Sequence, residues 1–434
     1  MTKSVYSASE LRRDRLTRSP KLPASFRTWR SAVIRGGKLP IIGVAGLRGK
    51  TAVIHLLDHV LVQSGLRTAI WTSNGVEIGG VPQDGELGAW QDVVRNLIDG
   101  TVSVALQELD SATVLATGLP SDFYPVLSVT NICANDELCH LHREGQLAIK
   151  AMPRIISAAA STGALVINGE DFTLFDAVRD ASTAPTVYFA LNRNAPLIRQ
   201  HLALSGSAIW KDGGSIQFGS DHDETVVGRT PELPYTLFGF AQFQLANVLA
   251  VTAIALLVGL KPAEIERALL TYNPDPERAP GTMAVTRMNG STVIIDRPDP
   301  SWFMRPVLRA IRAVSKGRLY VVTGRMESVP LGDVQEVGRL LGRDADVLIL
   351  HDHESDPSQT DSLMQGARRV LDPPLVARYS SEHRAIDAAL RRMRDGDCLL
   401  VLASDPNRAL ESVRSARLDD RFLDEFADVP LGRI

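Results

Sequence analysis

Two α/β domains with largely parallel sheets are what this sequence predicts, and three observations carry that expectation. From residue 40 onward, short apolar runs alternate with longer amphipathic stretches, the pattern of strands joined by crossover helices. "PIIGVAGLRGKTAVIHLL" (40–57) reads as a strand, a glycine loop and a helix in direct succession. "NPDPERAPG" (273–281) packs three prolines and a glycine into nine residues, a linker signal, and the alternation starts afresh beyond it. The organisation expected is a basic N-terminal extension (1–39), a central domain built on the glycine loop (40–282), and a C-terminal Rossmann-like α/β domain (283–434).

The elements follow in order. "IIGVAG" opens the central sheet, and "KTAVIHLLDHVLVQSG" is a helix closed by Gly65. "TAIWTS", "SVALQEL" and "VLSVTNI" are further strands. "EGQLAIKAMPRIISAAASTG" reads as a helix leading into the strand "ALVIN". Between 186 and 231, "TVYFAL", "SAIWKDGG" and "SIQFGS" look like short strands around glycine turns, a small antiparallel patch. The helix "FQLANVLAVTAIALLVG" comes next, then "LKPAEIERALLTY" with Pro262 in its first turn. In the last domain "STVIID", "GRLYVVTG", "ADVLILHD" and "DCLLVLAS" are strands with helices between them. "RRMRDGD" (391–397) reads as a charged helix end capped by Gly396.

Composition narrows the function classes. The 434 residues are 44% apolar and 22% charged, with a net charge of −3, which gives no global pull toward nucleic acid or membrane. Residues 1–40 hold ten Lys/Arg against Glu10 and Asp14, and this basic segment reads as a solvated extension. It has no apolar signal core. The longest apolar run, 248–260, is too short to span a bilayer and reads as a buried helix. Cys133, Cys139 and Cys398 make no disulfide framework, and Cys133, Cys139, His140 and His142 match no usual zinc spacing. "HDHE" (351–354) reads as a solvated acidic turn at a strand end. The expectation is a cytoplasmic protein.

The glycine loop carries the chemistry. A strand, a glycine-rich loop and a helix N-terminus bring backbone amides and a positive helix end to one point, where an anion is favoured. Lys50 would reach outer phosphates, and the Thr51 hydroxyl would sit on Mg²⁺. A strict Walker loop has a glycine where Val44 stands. The pattern here is G-x-x-G-x-x-G-K-T, from Gly43 to Thr51.

That pattern resembles the loop of the Mur ligases, ATP-dependent amide-bond formers. The likeness continues in order along the chain, and it is greatest to the Mur-like C-terminal half of cyanophycin synthetases. The resemblance implies ATP contacts at Gly46, Arg48, Gly49, Lys50 and Thr51. "TSNGVEIGG" (72–80) is similar to the family's segment after the second strand, and implies substrate contacts at Thr72, Ser73 and Asn74. "LQELDSATVL" (106–115) places the magnesium-binding glutamate at Glu108. "VTNI" (129–132) leads to a metal-binding turn that falls on Asp136. "EGQLAIKAMPRIIS" puts the family's carbamylated lysine on Lys150, followed by a corner at Asn168 and Asp171. "FQLANVLA" implies an adenine contact at Asn247, and "STVIIDRPDP" an ATP contact at Asp296.

What this implies is an ATP- and Mg²⁺-dependent ligase joining a small-molecule or peptide carboxylate to an amine, with Lys50, Glu108 and Lys150 central to catalysis. Nucleic acid and membrane are not expected partners, whereas a homo-oligomer or a partner ligase is left open. The chain departs from the family at several points: Asn135-Asp136 replaces Asp-His, Thr282 replaces the arginine of Pro-Gly-Arg, and "DRPDPS" and "ASDPNR" replace two C-terminal motifs. Two readings accommodate these changes. Either the C-terminal domain is retuned for an unusual substrate, or the chain is a degenerate nucleotide-binding protein acting beside an active enzyme. The short lead before the loop argues against a UDP-linked precursor.

Overall fold

A computed structural model describes residues 19–433 apart from 134–136, 182–183, 221–222, 289, 352–356 and 419–430. The chain divides into two compact units after Asn273, within the proline-rich stretch.

In the first unit the order is α1 (Phe26–Arg35), β1 (Ile41–Ala45), α2 (Lys50–Gln63), β2 (Thr68–Thr72), β3 (Gly75–Ile78), β4 (Val81–Gln83), α3 (Glu86–Asp99), β5 (Val104–Leu109), α4 (Ser111–Thr117) and β6 (Tyr124–Val129). Then come α5 (Glu137–Leu141), α6 (Arg143–Ser157), β7 (Ala159–Asn168), α7 (Phe172–Ala181), β8 (Thr186–Ala190), α8 (Pro196–Ala203), β9 (Ser207–Asp212), β10 (Ser215–Gly219), β11 (Glu224–Arg229), α9 (Gln242–Leu257) and α10 (Pro262–Thr271). One sheet runs β11-β10-β9-β8-β7-β6-β1-β5-β2-β3-β4. It is parallel from β9 through to β2, with an antiparallel hairpin at each edge.

β1 lies inside the sheet and is buried on both faces, which is why it reads as a continuous apolar run. Ile42 and Val44 share one core with Val53, Leu57 and Leu61 of α2 and with Leu245, Leu249 and Ile254 of α9. α9 is buried along almost its whole length, as its uniform apolarity requires. On the other face Tyr124 crosses β1 at Gly43 to donate to Gln107 Oε1 at 2.6 Å. A Cβ on Gly43 would sit 2.9 Å from the Tyr124 ring and 2.8 Å from Leu127. The glycine is there to let the phenol pass.

Four expectations for this unit are corrected. First, residues 186–231 are not a separate antiparallel patch. β8 and β9 are parallel members of the main sheet, because "PLIRQHLA" is the crossover helix α8 with proline at its start, and only β9-β10-β11 run antiparallel. Second, the helix from 144 stops at Ser157. The alanine-rich stretch after it is strand, since Tyr124 already pairs with Ala159 across β6 and β7 and tertiary pairing overrides alanine's helix propensity.

Third, the basic N-terminal segment is not simply solvated over 26–35. Phe26, Trp29 and Val33 form an apolar stripe that packs on the central core, while Arg30 donates to Leu97 O and Ser103 O at 3.1 Å each. The basic residues between them hide the stripe from a composition count. Fourth, Cys133 and Cys139 form a disulfide, with Cα atoms 5.5 Å apart. The chain reversal between β6 and α6 brings them together, which spacing alone does not reveal.

The second unit contains β12 (Ala284–Met288), β13 (Ser291–Asp296), α11 (Ser301–Val314), β14 (Leu319–Thr323), α12 (Val334–Asp344), β15 (Val347–His351), α13 (Pro357–Ala367), β16 (Leu375–Tyr379), α14 (Glu382–Arg392), β17 (Cys398–Leu402), α15 (Pro406–Leu418) and β18 (Gly432–Arg433). Its sheet order is β12-β13-β17-β14-β15-β16-β18, with parallel inner strands and antiparallel β12 and β18. α14 ends at Arg392 and is capped by Met393 rather than by Gly396. Asp397 organises the turn instead, its carboxylate accepting from Arg394 N and Arg318 N at 2.7 Å each. Of "HDHE", His351 is buried at the end of β15, and the other three residues lie outside the described residues. Among the described residues no helix is long and apolar enough to cross a membrane.

Candidate active site

β1 delivers the chain to residues 46–49, and α2 carries it away from Lys50. Gly46 has φ 132°, and a Cβ there would lie 2.1 Å from Thr130 Oγ1. No other residue type fits. Gly49 ends the loop in a left-handed conformation without a capping side chain. The first-turn amides of α2 and the positive end of its dipole therefore face the loop mouth.

Glu108 is the meeting point. It sits on β5 opposite Val44 of β1. Lys50 Nζ lies 3.7 Å from its Oε1, with both side chains largely buried. Thr51 Oγ1 donates to Oε2 at 2.9 Å, and Ser73 N at 3.4 Å. Thr72 is buried and its Oγ1 accepts from Asn74 N at 3.2 Å, whereas Ser73 and Asn74 are exposed. From α9, Asn247 donates to Gln244 Oε1 at 2.9 Å, and its Oδ1 stands 2.6 Å from where a Gly49 Cβ would be. Gly46, Gly49, Lys50, Thr51, Ser73, Glu108 and Asn247 are thus gathered around one loop.

Other expected residues lie differently. Arg48 turns its guanidinium to Glu144 of α6, 3.1 Å away, and to Leu47 O at 3.2 Å. Its backbone N–H is taken by Asn131 Oδ1 at 3.2 Å. Lys150 lies on the exposed face of α6, opposite the buried Ala148, Ala151, Met152 and Ile155. Asp136 lies outside the described residues. Asn168 and Asp171 support the exit of β6: Asn168 Nδ2 donates to Thr130 O at 3.0 Å, and Asp171 Oδ2 accepts from Ile132 N at 2.7 Å and Cys133 N at 3.1 Å.

Asp296 belongs to the second unit, at the end of β13. Burial pushes its carboxyl up to about 8, the charge of Asp299 adding to the effect, and Arg297 N donates to it at 2.9 Å. Thr282 is buried, its hydroxyl donating to Ala279 O at 2.8 Å. Asp405 in "ASDPNR" caps α15 by accepting from Asn407 N at 3.1 Å and Arg408 N at 3.3 Å.

Sequence reasoning gave no individual role to Thr130, Asn131 or Glu144. The strand exit "VTNI" was the visible signal, but only the fold shows that its side chains grip the glycine loop. For a divalent cation, no three His, Cys, Asp or Glu side chains stand together among the described residues. The Thr51 hydroxyl and Glu108 carboxylate are nevertheless hard oxygen donors 2.9 Å apart. They fit Mg²⁺, which takes few protein ligands and fills its octahedron with phosphate oxygens and water.

No family model matches the chain. It is 25% identical over 396 residues to the cyanophycin synthetase of Synechocystis sp., an alignment covering 88% of this chain and 44% of that protein. The chain therefore spans under half the length of the cyanophycin synthetases it matches. It is also 23% identical over 398 residues to the UDP-N-acetylmuramoyl-L-alanyl-D-glutamate–2,6-diaminopimelate ligase of Geobacter metallireducens, covering 84% of this chain and 73% of that one. These matches fit a member of the Mur ligase family. Among solved structures, the MurF ligase of Thermotoga maritima, in complex with ADP, superposes with a TM-score of 0.56 at 15% identity, over 91% of this chain and 83% of that one. That likeness is one of fold. The gathered residues belong to the first unit, and the departures from the Mur pattern at Thr282 and 403–408 belong to the second.

Proposed function

We propose that this chain is an ATP-dependent amide ligase that joins the carboxylate of an amino acid or peptide to an amine. The observation that carries the reading is the convergence of Lys50, Thr51 and the Ser73 amide on Glu108 at the mouth of the glycine loop.

In this reading the loop amides and Lys50 hold the phosphates of ATP, and Asn247 faces the nucleotide from α9. Thr51 and Glu108 hold Mg²⁺, which when bound offsets charge on the phosphates. The substrate carboxylate attacks the γ-phosphorus, the bond to the ADP oxygen breaks, and an acyl phosphate forms. The amine nitrogen then attacks the acyl carbon, the carbon–oxygen bond to phosphate breaks, and the amine proton passes to solvent. Little covalent work falls to the protein, so catalysis is positioning and charge neutralisation. Lys50 is drawn to Glu108 across 3.7 Å, close enough to hold it extended along the loop. Ser73, whose N–H donates to Glu108, and Asn74 are exposed, and in this reading they meet the acid substrate. Asp296 and Lys150 complete the reading only through the resemblance to Mur ligases. The expected setting is the cytoplasm.

A specific observation favours the second reading, a nucleotide-binding protein without turnover. Thr282 is spent on a local turn where the resemblance implies an ATP-contacting arginine, and Asp405 caps a helix where it implies a glycine–lysine–glycine–histidine loop. Phosphate release from Mg·ATP separates the two. Pooled amino acids and short acidic peptides are supplied as acids and amines, with Lys50→Ala alongside. Release that needs both partners and disappears in the variant establishes a ligase. ADP binding with no release across the pool favours the degenerate reading.

A further inference from the structure

The exit of β6 grips the glycine loop through both side chains and main chain. The side-chain amide of Asn131 pairs with both main-chain polar groups of Arg48: Oδ1 accepts from Arg48 N at 3.2 Å, and Nδ2 donates to Arg48 O at 3.0 Å. Thr130 Oγ1 donates to the same carbonyl at 2.6 Å. Asn131 O accepts from Leu47 N at 2.9 Å. The N–H groups of Leu47 and Arg48 are therefore turned to protein acceptors. Those of Gly49, Lys50 and Thr51, at the start of α2, are the ones aimed at the loop mouth.

The grip is itself anchored. Asn168 Nδ2 donates to Thr130 O at 3.0 Å, and Asp171 ties the next two amides, of Ile132 and Cys133, through one carboxylate oxygen. Its other oxygen accepts from Leu174 N at 3.1 Å at the start of α7. A run of side chains thus connects the corner after β7 to the loop after β1. A glycine loop has much backbone freedom to lose on binding a ligand. Here that freedom is removed beforehand by the neighbouring strand.

We propose that Asn131 is a positioning residue for the nucleotide, acting through Arg48: its amide pair, with the Thr130 hydroxyl, presets the loop so that the amides of residues 49–51 meet the phosphates. The proposal rests on reading the loop as the ATP site. It also assigns Arg48 a loop-shaping role, its guanidinium latched to Glu144, instead of a direct phosphate contact.

The test uses the full chain carrying Asn131→Asp, Asn131→Ala, Thr130→Val or Thr130→Ser. Three quantities are read: amide hydrogen exchange over residues 45–51, the dissociation constant of ADP, and the melting temperature. Asn131→Asp keeps the shape but sets a carboxylate oxygen against Arg48 O. Exchange at residues 47 and 48 is expected to quicken at least about tenfold, and ADP to bind about tenfold or more weakly at temperatures far below melting. Thr130→Ser, which keeps the hydroxyl, should restore both to wild-type values, and Thr130→Val should not. If the Asn131 variants fail to fold, Thr130→Val against Thr130→Ser carries the comparison.

Unchanged exchange in the Asn131 variants overturns the grip. Faster exchange with unchanged ADP affinity leaves a structural contact and overturns the positioning role. A wild-type chain that binds no ADP removes the ATP-site reading itself, and is distinguished from both by the wild-type titration alone.

Discussion

Tyr124 reaches over Gly43 to donate its phenol to Gln107 at 2.6 Å, binding β6 to β5 across the strand between them. Burial holds that phenol well above the ordinary tyrosine range, so it stays a donor at any physiological pH. Gly43 looks in the sequence like the first member of a three-glycine phosphate loop. In the fold it is a mid-strand residue whose missing side chain makes room for a ring. Gly43→Ala forces a methyl within 2.9 Å of that ring, and overpacking of this kind costs about 1–3 kcal/mol. Thermal unfolding should show that loss, while ADP affinity stays within about threefold of wild type.

Gly46→Ala should behave in the opposite way. The added carbon would lie 2.1 Å from Thr130 Oγ1 at a backbone angle that alanine resists. Relief requires the loop to move off Thr130 and Asn131. The variant is expected to fold but to lose at least about a hundredfold in ADP affinity. Calorimetric titration beside a melting curve checks both parts, and wild-type affinity in Gly46→Ala would refute the assignment of this loop as the phosphate site.

Glu108→Gln separates metal binding from nucleotide binding. The carboxylate holds Lys50 and Thr51, yet without a cation it repels phosphate. Its removal should leave ADP affinity in EDTA equal to wild type or tighter. The gain in affinity on adding Mg²⁺ should shrink, and turnover should fall by about a hundredfold or more. Equal Mg²⁺ dependence in the two proteins would move the cation away from Glu108.

Much of this was legible in the sequence because it rests on periodicity. β1 and α9 follow from apolar runs and α2 from the stretch between the glycine loop and Gly65, Lys50 and Thr51 from the strand–glycine loop–helix pattern, and Glu108 from the resemblance to Mur ligases. What stayed hidden depends on who meets whom across the sheet. The role of Gly43 is set by Tyr124, eighty-one residues on. Residues 26–35 look like a basic tail until Trp29 is seen in the core. The Cys133–Cys139 link and the Asn131 grip both come from the reversal after β6, a tertiary event that leaves no local pattern. The exposure of Lys150 likewise comes from which face of α6 the neighbouring elements bury.

The two units should respond to pH in opposite directions. His201 is buried in the first unit against Tyr188 and Ser207 O, and burial pushes it down to about 4. The unfolded chain takes up a proton near pH 6.5, so between about pH 6.5 and 4 only the unfolded state is protonated, and acid destabilises this unit. Asp296, in the second unit, is raised by burial to about 8, against an unfolded value near 3.9. There the folded state holds a proton that the unfolded state has lost, so stability is greatest near pH 4 and falls as pH rises toward 8. Scanning calorimetry of the full chain from pH 5 to 8 should show one transition rising to about pH 6.5 and another falling throughout. His201→Gln should flatten the first and Asp296→Asn the second, each by at least ~4 °C across its window. If Asp296→Asn left the falling transition's slope unchanged, the carboxyl would have to be ionised in the folded protein, with a cation or a main-chain donor set stabilising it at the end of β13.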